Sequence, residues 1–164
     1  MDKNKATFEA LKLHAEASQL DKIETMAFLS NNGIPLEVIT RMDFLWEEVL
    51  EIGGQIINIG KIIMMKLIQF IKENPNMVIG LAIGVALGML ANAVPFIGQF
   101  IAPILSAIFG TMGALHGHRL DKVAKGEYAG DRLMEDAITT TKKFWDFFYE
   151  IFNSLMIEPI MAGL

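Results

Sequence analysis

Cysteine is absent from the 164-residue chain, which removes disulfides, thiol catalysis and zinc–thiolate centres together. Basic residues are in deficit. Fourteen Lys and Arg stand against 19 Asp and Glu, and the net charge of −5 gives no general attraction to nucleic acid. Catalytic signatures are missing as well. The glycine-rich run from Gly80 to Gly88 follows no expected strand, so it is not read as a nucleotide-binding loop. His116 and His118 sit at i and i+2, off a common helix face, and no carboxylate or thiol motif completes a metal site around them. No catalytic residue, metal or cofactor is therefore expected, and an enzyme is not the expected reading.

The most informative absence is charge itself. Between Glu73 and Arg119 lie 45 residues, 74–118, without one Asp, Glu, Lys or Arg. As helix they would extend about 67 Å, roughly twice a ~30 Å hydrocarbon core. Two crossings with a turn fit that length better than one. Asn92, Pro95, Gly98 and Gln99 lie at the midpoint, with Pro95 and Gly98 as the hairpin turn. Pro103 is expected to shorten or kink the second helix, which leaves a wedge in one leaflet as the variant of a full span. The N-terminus carries no apolar signal-peptide segment. Lys61, Lys66 and Lys72 precede the hairpin, and Arg119 follows it. These four are assigned to the membrane surface, with both termini on the cytoplasmic side.

The remaining chain reads as amphipathic helix. Residues 1–34 form an N-terminal helix and turn, with Phe8, Leu11, Ala15, Ile23 and Ala27 as its apolar stripe and Gly33 in the left-handed position after it. Residues 35–73 read as one long helix started by Pro35, which Gly53 and Gly54 divide or bend. Its second half has a polar arc containing Lys61, Lys66 and Lys72 beside a broad apolar face. That face fits a membrane interface, or else a helix bundle. Residues 119–164 are a polar link and an aromatic helix that begins after Asp131 and stops before Pro159. The expected fold class is thus all-α: one domain with a membrane-embedded hairpin flanked by long amphipathic helices.

Small residues recur every fourth position in both halves of the hairpin, with Ala91 three residues after Gly88 on the same face. Gly80, Gly84, Gly88 and Ala91 form one stripe; Gly98, Ala102, Ser106, Gly110 and Ala114 form the other. Lipid does not drive apolar helices together, so close backbone approach along such stripes is what pairs them. The stripes join the two helices of one hairpin, or join neighbouring copies into a homo-oligomer. In general design this pattern resembles bacterial pore-forming proteins that carry an uncharged helical hairpin between amphipathic helices, although colicin-type domains have many more helices to cover theirs. That resemblance implies a self-assembling protein that forms a pore or permeabilises a lipid bilayer. The alternatives are a membrane-anchored scaffold or assembly subunit of a larger complex, whose helical ends bind protein partners, and a soluble oligomer that stores the membrane-inserting hairpin until release.

Overall fold

Aspartate opens the first two helices. The Asp2 carboxylate accepts the Lys5 backbone N–H at 2.9 Å and Asp21 accepts that of Glu24 at 3.0 Å, so each satisfies an N–H that a helix start leaves orphaned. The computed structural model describes residues 1–74, 79–93, 95–111 and 132–162. Its order is α1 (Lys3–Ala17), α2 (Lys22–Asn31), α3 (Leu36–Trp46), β1 (Leu50–Ile52), β2 (Gln55–Ile57), α4 (Ile59–Glu73), α5 (Ile79–Ala93), α6 (Pro95–Thr111) and α7 (Arg132–Ala162). The Asp21 cap is why two helices occupy residues expected to form one. After α2, the Ile34 N–H reaches the Leu29 carbonyl and the Gly33 N–H reaches that of Ser30, both at 3.1 Å. Gly33 has φ +86°, and this pair of bonds is a Schellman motif that stops the helix.

The segment expected to be one long helix over 35–73 is broken by a β-hairpin. Leu50 pairs with Ile57, Glu51 with Ile56 and Ile52 with Gln55. Gly53 and Gly54 make the two-residue loop, with φ +58° and +81°. Positive φ at both central residues is the requirement of the tightest hairpin turn, and two glycines meet it without a Cβ penalty. The chain then re-enters helix at Asn58, whose side chain accepts the Lys61 N–H at 3.0 Å. The Asn58 backbone N–H donates to His14 Nδ1 at 3.0 Å, tying this cap to α1.

Helix α4 is the interior element of the bundle. Ile59, Ile62, Ile63, Met64, Leu67 and Phe70 are fully buried on it, at roughly 1.5–3 kcal/mol of transfer free energy each. It packs against α1, α3 and α5. Helix α5 is sheathed in turn by α4, α6 and α7, and α6 also lies on α3. Helix α1 enters the core by its alanines: Ala6, Ala10, Leu13 and Ala17 are buried against α4 and α7. The stripe expected there points the other way, with Phe8, Ala15, Ile23 and Ala27 exposed. Alanines let helix axes approach closely, and that contact outweighs the burial of one phenylalanine.

The membrane-embedded hairpin is overturned. Among the described residues no helix is long and apolar enough to cross a membrane. Helix α5 has 15 residues and α6 has 17, so at 1.5 Å per residue they extend about 22 and 25 Å, short of a ~30 Å core. Their apolar side chains are covered by protein: Ile83, Val85, Ala86, Leu87 and Leu90 on α5, and Ile97, Ile101, Ile104 and Ile108 on α6, are buried in the same core as α4. The fold is all-α with seven helices among the described residues, plus the one small β-hairpin. The bilayer partner, the membrane location with cytoplasmic termini, the transmembrane and pore-forming descriptions all rested on a spanning hairpin and fall with it.

Candidate interaction surface

The lysines assigned to a membrane surface are occupied by the protein's own aromatic rings. Lys61 Nζ lies 5.6 Å from the Trp46 ring centroid, Lys66 Nζ 6.0 Å from that of Phe144, and Lys72 Nζ 5.4 Å from that of Phe28. Each ammonium faces the negative side of a ring, and its methylene stem covers apolar surface. Through these contacts α4 grips α3, α7 and α2. Arg119, the fourth of the set, lies outside the described residues.

The small-residue stripes separate in space. Gly84 and Gly88 are buried on α5. Ala91 meets Gly98 across the hairpin: a Cβ on Gly98 would sit 3.7 Å from that of Ala91 and 3.5 Å from its carbonyl oxygen. Beyond that point the second stripe faces outward, since Ala102, Ser106 and Gly110 are exposed and a Cβ on Gly110 would meet nothing within 4 Å. Pro103 is inside α6 on this same exposed side. Gly80 is in α5 and Pro95 is the first residue of α6. Ala114 lies outside the described residues, as do His116 and His118.

Helix α7 contributes an aromatic array. Phe70 and Phe144 stand edge to face at 5.2 Å, Trp145 and Phe148 at 5.1 Å, and Phe148 lies 4.5 Å from Phe152. Such pairs add about 0.5–1.5 kcal/mol each beyond burial. The Trp145 Nε1 and Tyr149 hydroxyl are buried without a hydrogen-bond partner. Burial pushes the Tyr149 hydroxyl well above its ordinary value of 10, and the Asp146 carboxylate adds to the effect. Helix α7 continues to Ala162, past the stop expected at Pro159.

More than half of what remains uncovered lies on α3, the β-hairpin and the link between them. Leu36 is 78% exposed, Phe44 68%, Ile56 64% and Val49 51%, four of the seven large apolar side chains left open among the described residues. On α3 the reason is periodicity. Val38, Met42, Leu45 and Trp46 take the inward face, so Leu36, Thr40 and Phe44, spaced by four, must point outward. Glu37 and Glu47 flank them. Lys22 of α2 holds Asp43 at 2.5 Å and reaches Glu47 at 3.8 Å, and the paired Asp43 raises the Lys22 pKa. Helix α1 leaves Phe8 62% exposed, with Lys5, Lys12, Glu9 and Glu16 on the same side of the helix, two charges of each sign.

The sequence offers the acidic helix from Pro35 to Glu51 as a docking surface only under the scaffold alternative, and it singles out neither Leu36 and Phe44 nor Phe8 as exposed. The signal was present in the four-residue spacing of Leu36, Thr40 and Phe44. The hairpin had its own signal too, Gly-Gly between two short runs rich in Ile, Val and Leu. Among the described residues no group of three or more His, Asp or Glu is arranged to hold a metal ion. Compared with protein-family models, with curated proteins and with solved structures, the chain matches none.

Proposed function

We propose that this chain is an assembly subunit, a non-enzymatic helical protein that acts by docking other polypeptides through its outer helix faces. The observation that carries the reading is the outward face of α3, where Leu36 and Phe44 stand open in water among carboxylates. Scattered single apolar residues need no explanation, but Leu36 and Phe44 lie two turns apart on the same outward face of one short helix, and exposed Val49 and Ile56 follow in the chain. A central aromatic with a charged rim is also how protein interfaces are built. The apolar hairpin of α5 and α6 serves this function as core, giving α3 a rigid platform through its packing on α6.

The test is a photo-reactive phenylalanine analogue placed at Phe44, with the same analogue at exposed Ser30 as control. Irradiation of cells making the protein should give a discrete crosslinked polypeptide from position 44 and not from position 30. No crosslink above the control would overturn the reading.

A further inference from the structure

We propose that Asn32 is a spontaneous modification site, where the folded chain exchanges a side-chain amide for an acid at a rate set by opening of the stop after α2. The sequence has eight asparagines, and Asn32 is the one followed by glycine. Asn32 and Gly33 are both exposed. The pairing matters because glycine has no side chain to hinder the approach of its own backbone nitrogen to a neighbouring carbon.

The step is an intramolecular substitution that consumes one water. The Gly33 nitrogen gives its proton to hydroxide and attacks Asn32 Cγ. A nitrogen–carbon bond forms, the Cγ–Nδ2 bond breaks, and Nδ2 takes up a proton from water and leaves as ammonia. Water then opens the succinimide ring. Cleavage at Cγ yields aspartate. Cleavage at the Asn32 backbone carbonyl yields isoaspartate, in which the main chain runs through the former side chain.

The folded geometry holds this reaction back in three ways. Asn32 has ψ 15°, which turns the Gly33 nitrogen away from Cβ, whereas ring closure needs the two eclipsed. The Gly33 N–H donates to the Ser30 carbonyl at 3.1 Å, so the nucleophile is engaged. Asn32 Nδ2 donates to the Phe28 carbonyl at 2.7 Å, so the leaving group is tethered to the helix. All three are released when the last turn of α2 opens, and helix ends are among the parts of a fold that open most readily. Ile34 resists that opening: its N–H reaches the Leu29 carbonyl at 3.1 Å and its side chain is only 4% exposed.

The products disturb the same stop. Aspartate at this position sets a negative charge against the last carbonyls of α2, where the helix dipole is already negative, and gives up the donor to Phe28. Isoaspartate adds a main-chain atom before the Gly33 nitrogen, so the bonds to Ser30 and Leu29 cannot both re-form. The modification therefore loosens the joint between α2 and α3.

Peptide mass spectrometry of the full chain, incubated at mildly alkaline pH with and without unfolding guanidinium chloride, tests this. In denaturant Asn32 should convert first among the asparagines. In the native chain it should still convert first, but at least ~10-fold more slowly, because only the opened fraction reacts. Ile34→Val removes one buried methylene and should speed native conversion roughly 2–10-fold while leaving the rate in denaturant unchanged. Asn32→Asp should lower the Tm by roughly 2–4 °C. Equal native and denatured rates, no acceleration by Ile34→Val, no product at Asn32 in the native chain, or faster conversion at another asparagine would each overturn the proposal. An Asn32→Asp chain as stable as the wild type would overturn its consequence for the fold.

Discussion

The Leu45 carbonyl lies where a Cβ on Gly60 would have to be. The first turn of α4 crosses the last turn of α3 at this point, and the Gly60 N–H donates to the Glu48 carbonyl at 3.1 Å. Backbone faces backbone there, so neither side can yield by changing a rotamer. Gly60→Ala should cost at least ~3 kcal/mol in urea unfolding. Gly110→Ala is the contrast: open space surrounds that position on α6, and the better helix former should raise stability by up to ~1 kcal/mol. Equal effects at the two glycines would show that the crossing is not where it is placed.

The β-hairpin depends on positive φ at Gly53 and Gly54. Alanine at either should lower stability by about 1 kcal/mol, through strain alone, since nothing lies within 4 Å of a Cβ at either place. Gly53→Asn should cost less, because asparagine tolerates the left-handed region. Thermal melts of the three variants check the order.

His14 joins the end of α1 to the start of α4 through Asn58. His14→Phe keeps the ring's bulk but leaves the partly buried Asn58 N–H without an acceptor, at about 1–2 kcal/mol. His14→Gln restores an acceptor oxygen and should recover part of that loss. Denaturant midpoints of both variants measure it; equal losses would mean that the ring's packing, not the hydrogen bond, holds the joint.

Tyr149 sets an alkaline limit. Burial raises its pKa above the ordinary value of 10, so the folded protein keeps a proton that the unfolded chain releases. The stability this represents is complete below pH 10 and drains away as the pH rises above it. Tyr149→Phe should leave neutral stability within ~1 kcal/mol, because the hydroxyl has no partner to lose, and should flatten the decline above pH 10. Parallel alkaline curves for the two proteins would refute the assignment.

Local chemistry was legible residue by residue. Gly33 announced the end of α2, and the apolar runs around Pro95 announced two adjoining helices, whereas the cap at Asp21 that divides α1 from α2 was read through. Spacing alone put Phe144, Phe148, Ile151 and Leu155 on one side of α7, and all but Phe144 are buried there. These features follow from backbone sterics and side-chain periodicity within a turn or two, which the order of residues determines by itself. What the apolar surfaces meet is a different kind of question. Hydropathy measures the free energy of leaving water and is nearly silent on whether lipid or protein receives the group. The uncharged run of residues 74–118 therefore fitted a bilayer by composition, whereas its helices α5 and α6 pack on each other and on α3, α4 and α7. Tertiary contact also decided which face of α1 is inside: Ala6, Ala10 and Ala17 win over Phe8 because close approach to α4 and α7 engages a whole helix length. It likewise turned Lys61, Lys66 and Lys72 from free cations into covers for Trp46, Phe144 and Phe28, rings that lie at least 15 residues away in sequence and come near only through the fold.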